Sequence, residues 1–218
     1  RADKDLLAAQ DELLQGLIKE AGITDVEDTD VSPLDSRLRF WKGDITTLAT
    51  DAIVNAANSG MTGCWAPLHY CIDNAIHTFA GIQLRYECAR IMIEQGCEEP
   101  TGQAKVTPAY NLPAKHVIHT VGPIANGEVN DELKEQLASS YRSCLDAAVA
   151  AGDKSIAFCC ISTGVFGFPA EDAARIAVKT VQDWLDDRES TGKEIPVIVF
   201  NVFLDSDEDI YKIILGIS

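Results

Sequence analysis

At 218 residues, with 46% hydrophobic and 24% charged side chains, the chain has the composition of one globular domain with room for a small appendage; disordered, collagen-like and low-complexity classes are out. Its 34 acidic against 18 basic residues give a net charge of −16, which argues against nucleic acid or an anionic membrane as partner. A compact phosphate held by backbone N–H groups remains compatible with that charge.

Seven cysteines, an odd number, speak against a complete disulfide framework and for a reducing cytoplasm with buried, reactive or metal-bound thiols. No apolar run approaches the ~20 residues of a membrane helix. The first segment is amphipathic and acidic, unlike a signal peptide.

Residues 3–21 carry apolar pairs at Leu6/Leu7, Leu13/Leu14 and Leu17/Ile18, which is helical spacing, and Gly22 is a stop signal. The acidic stretch 24–36, broken by Pro33, reads as a linker. The expected organisation is therefore an N-terminal helical extension and acidic linker over 1–36, with the helix packed on a main domain over 37–218.

Beyond Arg37 the pattern alternates. Strands are expected at Arg37–Trp41, Ala52–Asn55, Ala104–Ala109, His116–Val121, Ser155–Ser162 and Pro196–Phe203. Helices are expected at Ile72–Phe79, Gln83–Glu94, Glu132–Ala150, Glu171–Asp187 and Asp207–Leu215. The continuous apolar runs IAFCCIS and PVIVFNVF fit strands covered on both faces. The expected fold class is α/β, with helices on both sides of a mostly parallel or mixed sheet and ligands at the C-terminal strand ends.

Three loops carry chemistry. In ISTGVFGFPAEDAARIA a buried strand ends at Ser162, a loop with Gly164 and Gly167 follows, and Pro169 precedes a helix. Such a loop is either a tight turn or an anion nest; it is not a Walker loop, since GK[ST] is missing. In DAIVNAANSG, Asn55 and Asn58 reach a strand end, where their amides either cap the turn or hold a sugar diol.

The third loop is GCWAPLHYCIDNAIH, where Cys64, His69 and Cys71 form C-x4-H-x-C. Two thiolates and an imidazole are ligands that zinc prefers, although the spacing is not that of a standard finger. A core Cys71 and a surface His69 are the alternative. Asp73, directly after it, reads as a helix N-cap, a ribose-orienting group or a general base. Cys159 and Cys160 are expected to be inert core residues, and His77, His116 and His119 packed or hydrogen-bonded ones.

NAAN after a strand, GDI before it, IDNAIHTFAG, GQAKVTPAYNLPAKHVIHTVGP and STGVFGFP, in that setting, resemble a macrodomain from about Arg37 to Tyr211. The resemblance implies a three-layer α/β/α sandwich with a mixed central sheet, and a site for ADP-ribose. It implies that Asp44 accepts from the adenine amino group with Ile45 alongside, and that Phe203 lies against the adenine. Ser162, Thr163, Gly164, Val165 and Phe166 would wrap the diphosphate, and Asn58 would hold the distal ribose.

Where many macrodomains have a glycine-rich stretch, this chain has Cys64, Trp65, Pro67, His69 and Cys71. With its N-terminal helix it is similar to the zinc-containing branch of the family. That implies Zn2+ on Cys64, His69 and Cys71 with a fourth position open, as catalytic zinc requires; His77, Asp73 or Cys88 as a closing fourth ligand ranks lower.

The implied function is hydrolysis of mono-ADP-ribosylated protein with Asn58 and Asp73 as catalytic residues, and the branch resembles proteins linked to sirtuin-type transferases and lipoyl-carrier proteins. The competing functions are an ADP-ribose reader without turnover and an O-acetyl-ADP-ribose deacetylase. A dehydrogenase or P-loop nucleotide hydrolase lacks its glycine pattern here.

Overall fold

The computed structural model describes residues 2–66 and 69–217; Pro67 lies outside the described residues. Helix α1, Lys4–Ala21, is capped by Asp3, whose carboxylate accepts from Leu6 N–H, and stops at Gly22 with φ 92°. Of its apolar pairs, Leu14 and Ile18 turn inward while Leu6, Leu13 and Leu17 stay exposed. Gln10 donates to Gln83, and Gln15 to Asn111, so the helix is fastened to the domain by amides as well as by the core.

The acidic stretch is not a free linker. Strand β1, Thr24–Asp25, pairs parallel with β4, Leu48–Ala49, and β2, Asp30–Val31, pairs antiparallel with β3, Leu38–Lys42. Ser32 Oγ donates to the Leu215 carbonyl in the interior. Tertiary pairing therefore ties this stretch down, β1 into a separate two-stranded sheet with β4 and β2 onto the edge of the main sheet, against the expectation of a linker ending at 36. Two-residue strands have no periodicity for a sequence reading to find.

The remaining strands are β5 (Ala52–Ala56), β6 (Ala104–Pro108), β7 (His116–Thr120), β8 (Ser155–Phe158) and β9 (Val197–Val202). They form a seven-stranded sheet in the order β2-β3-β9-β8-β5-β7-β6. The five inner strands run parallel, and the edge strands β2 and β6 run antiparallel to their neighbours, so the sheet is mixed.

Helices α2 (Ile72–Ala80) and α3 (Ile82–Gln95) join α1 on one face. Helices α4 (Asp131–Ala151), α5 (Ala170–Ser190) and α6 (Asp205–Leu215) cover the other, giving the expected three layers. Burial on both faces explains the apolar runs of β8 and β9, whose residues Ile156, Ala157, Ile198 and Val199 are wholly inaccessible. Because β3, β5, β8 and β9 are parallel, residues 43–44, 57–58, 159–166 and 203 leave the sheet at the same edge. Among the described residues no helix is long and apolar enough to cross a membrane.

Candidate functional site

Two adjoining cavities of about 550 and 460 Å3 open along that edge and share His69, Cys71, Asn201 and Phe203 in their walls. Each has the volume of a small-molecule site.

The larger begins where β3 ends. Asp44 caps the short 3-10 turn Ile45–Thr47: its Oδ1 accepts from Thr46 N–H at 3.0 Å and Thr46 Oγ at 2.7 Å. Its Oδ2 makes no hydrogen bond among the described residues, which leaves one fixed carboxylate oxygen aimed at this cavity. Ile45 forms an apolar wall and Phe203, 59% exposed, offers an aromatic face between the two cavities. Asn201 of β9 donates to the Trp41 and Gly43 carbonyls, tying the floor to the GDI turn.

The smaller cavity lies beyond β8. The strand stops at Phe158, four residues short of the expected end at Ser162, because the apolar run continues into a buried turn. Cys159 and Cys160 thus sit at the cavity wall rather than inside the strand. Burial pushes the Cys159 thiol up to about 12 and raises the Cys160 thiol well above its usual value, which keeps both protonated at neutral pH.

Ser162 takes φ 68°, and the turn closes by Phe168 N–H donating to the Ser162 carbonyl. A Cβ on Gly164 would meet nothing within 4 Å, so this residue faces open space. Among the described residues the N–H groups of 163–166 donate to nothing. Unpaired amides lining a cavity just before the N-terminus of α5 make an anion cradle.

At the other wall of this cavity stand Asn58, Cys64, His69, Tyr70 and Cys71. The ligand atoms of Cys64, His69 and Cys71 all lie within 4.8 Å of one another, with Cys64 Sγ 3.3 Å from His69 Nδ1. Tetrahedral zinc with Zn–S and Zn–N bonds of about 2.3 and 2.0 Å sets such S···N separations at roughly 3.5 Å. The three groups therefore fit a zinc ion, and all three are partly open to the cavity. Trp65, 72% exposed, stacks on the Arg85 guanidinium at 4.5 Å, and Tyr70 is 94% exposed.

Asp73 is not a helix cap. The N-cap of α2 is Cys71, and Asp73 turns inward. Its Oδ1 accepts from Asn55 Nδ2 at 2.8 Å and its Oδ2 from Asn58 Nδ2 at 3.1 Å. Burial raises this carboxyl above the usual carboxylate value, with Asn55, Arg85 and Asn58 pulling it back. Asn58 also donates to the Gly63 carbonyl and accepts from Gly60 N–H, so one side chain both caps the turn and holds Asp73.

His77 lies one turn on, 3.6 Å from Asp73, and burial with Arg85 nearby lowers it to about 4. His116 is the structural histidine expected, paired with Asp153 at 2.8 Å. Asn55, expected at a strand end to cap the turn or hold a sugar diol, instead lies fully buried behind Asp73 and bonds Asp73 and His119. His119 beside it, and Asn201 and Asp207 on the cavity walls, carried no signal beyond an inward-facing position in a strand or a helix start.

The cradle of free amides at 163–166, and Asn58 and Asp73 on the facing wall, lie in a region that the Macro domain family model matches over residues 54–177; Asp44 lies before it. The chain belongs to the macro domain family. It is 59% identical over 213 residues to the protein-ADP-ribose hydrolase of Treponema medium, an alignment spanning 96% of this chain and 79% of that one. It is 50% identical over 210 residues to the protein-ADP-ribose hydrolase of Staphylococcus aureus strain MRSA252, spanning 95% and 76%. The Trypanosoma brucei macrodomain solved with ADP-ribose superposes with a TM-score of 0.78 at 30% identity, spanning 99% of this chain and 92% of that one. Macrodomain architecture accounts for the mixed sheet, for both helix layers and for the common edge where the cavities open.

Proposed function

We propose that this macrodomain is a zinc-dependent hydrolase that removes mono-ADP-ribose from a modified protein side chain and releases ADP-ribose. The observation that carries it is that Cys64, His69, Cys71, Asn58 and Asp73 share one cavity with the free amides of 163–166. The names of the relatives at 59% and 50% identity support the same reaction class.

In this reading Asp44 Oδ2 accepts from the adenine amino group, Ile45 and Phe203 contact its faces, and the amides of 163–166 bind the diphosphate. Neutral backbone dipoles do the binding, so the charge of −16 is tolerated. The distal ribose then lies between Asn58, Asp73 and the Cys64–Cys71 loop. A bound zinc ion supplies Lewis-acid polarisation of a ribose oxygen or of water.

Asp73, fixed by two amide donors and lining the cavity, takes a proton from the attacking water. The water oxygen bonds to the anomeric carbon, and the bond from that carbon to the protein side chain breaks with its electron pair going to the departing atom. Gly63 and Gly60 hold Asn58 so that the carboxylate does not swing.

The protein substrate that the zinc-branch resemblance implies is a lipoyl-carrier protein modified by a sirtuin-type transferase. Incubating the purified chain with mono-ADP-ribosylated protein tests the reaction. Free ADP-ribose, unmodified protein and about one zinc per chain are expected. Binding without release identifies a reader instead.

A further inference from the structure

Behind Asp73 lies a buried set of polar groups to which the reaction above gives no task. Asn55 of β5 and His119 of β7 are register partners on neighbouring parallel strands, and both are completely inaccessible. Thr107 of the edge strand β6 is next in line. All three side chains face the α2–α3 layer, where Asn55 meets Asp73 of α2 and His119 Nε2 lies 3.7 Å from Cys88 Sγ of α3.

The directions of the bonds are fixed by what each group can do. Asn55 Nδ2 lies 2.8 Å from Asp73 Oδ1 and 3.1 Å from His119 Nδ1. An amide nitrogen only donates, so His119 Nδ1 must offer its lone pair. Burial, with His77 adjacent, holds His119 near 3, so the ring is neutral and its one proton sits on Nε2. That proton goes to Thr107 Oγ1 at 3.0 Å, whose own proton faces the Val117 carbonyl 3.5 Å away.

Among the Asn55, His119 and Thr107 side chains one group is left out. Asn55 Oδ1 is buried and has no partner. Turning the amide over would satisfy nothing, since its oxygen would face both the Asp73 carboxylate and the His119 lone pair. The unpaired oxygen is thus the cost of pointing both N–H bonds where they are needed. Had His119 carried its proton on Nδ1, the reversed amide would be preferred and Asp73 would lose its donor.

We propose that His119 is a positioning residue for the hydrolysis: its Nδ1 lone pair locks the Asn55 amide with an N–H toward Asp73, and so fixes the carboxylate that faces the distal-ribose end of the cavity. The catalytic consequence rests on the hydrolase reading; the lock itself does not.

The test pairs a spectroscopic measurement with kinetics. Nitrogen-15 resonances of the His119 ring in the native chain at pH 6–8 should report the neutral Nε2–H tautomer. His119→Leu removes the acceptor and keeps the bulk, whereas His119→Asn returns a side-chain oxygen near the place of Nδ1. His119→Leu should lower kcat for ADP-ribose release roughly 10- to 100-fold with KM and ADP-ribose affinity within about twofold, because a displaced catalytic group costs turnover rather than binding. His119→Asn should recover most of the lost kcat.

A ring protonated on Nδ1 would overturn the lock, and does so even if His119→Leu does not fold. A folded His119→Leu chain with native kcat, or equal losses in the Leu and Asn variants, would overturn the positioning role. A native chain that shows the Nε2–H tautomer but releases no ADP-ribose would sink the hydrolase reading and leave the lock standing.

Discussion

The cavity end proposed for adenine is walled by strand ends and backbone, whereas the end proposed for the distal ribose is walled by Cys64, His69 and Cys71 and by a buried network of side chains. At the first, Asp44, Ile45 and Phe203 follow directly from β3 and β9, and the sheet itself sets their positions. At the second, Asp73 is held by Asn55 and Asn58, and Trp65 and Tyr70 stand exposed. Material of the first kind holds a ligand without moving. Material of the second kind is, in the proposed reading, what places the base and the zinc ligands, where small displacements change rates. Substitutions at the two ends should therefore fall on different measurements.

The largest effect is expected from Asp73→Ala. Loss of a general base should lower kcat roughly 10²- to 10⁴-fold, while calorimetric affinity for ADP-ribose changes little. An Asp73→Ala chain that keeps its kcat would erase the division between the ends.

Gly164→Val addresses the junction. Its backbone is not left-handed and its Cβ would point into open space, so the fold should survive. The side chain would fill the amide cradle proposed to bind the diphosphate. With two charge-assisted bonds lost at about 1.5–3 kcal/mol each, affinity should fall roughly 100-fold or more. Normal binding by this variant would put the phosphates elsewhere.

Acid should separate the ends by stability. His77 and His119 both sit behind the ribose end, lowered to about 4 and about 3. A histidine whose folded value is depressed destabilises as pH falls below its unfolded value near 6.5, because the unfolded chain takes up the proton first. Each should cost about 2 kcal/mol between pH 7 and pH 5, partly offset by Asp73, whose raised value acts in the opposite sense. Denaturant melts at the two pH values check this, with His119→Asn expected to remove about half of the loss.

The smallest effect sharpens the first end. Asp44→Ala should weaken ADP-ribose roughly tenfold through one lost charged hydrogen bond and leave kcat at saturation unchanged. Unchanged affinity would remove Asp44 from the site.

Much of the fold was legible because its elements are long or continuously apolar. Helix α2 was expected at 72–79 and runs Ile72–Ala80, and α1 was expected at 3–21 and runs Lys4–Ala21. What failed to show was decided by partners distant in sequence. The pairing of Asp30 with Phe40 turned an acidic linker into an edge strand. IAFCCIS gave no sign of where β8 stops, because the turn after it is as buried as the strand.

The candidate site divides in the same way. Loop composition pointed to Cys64, His69, Cys71 and the 162–166 turn, since unusual residues in a loop are visible locally. Asp73 as a buried carboxylate, and Asn55 and His119 behind it, depend on contacts between β5, β7 and α2 that no local pattern encodes.

The most direct test of zinc-dependent turnover is the rate of ADP-ribose release by chain stripped of metal with a chelator and then given one equivalent of zinc. The rate should fall to background on stripping and return with zinc, while the melting temperature stays within a few degrees, since the three ligands share one loop outside the main core. Full activity in verified metal-free protein would contradict the role of zinc and leave the reaction to Asp73 and Asn58 alone.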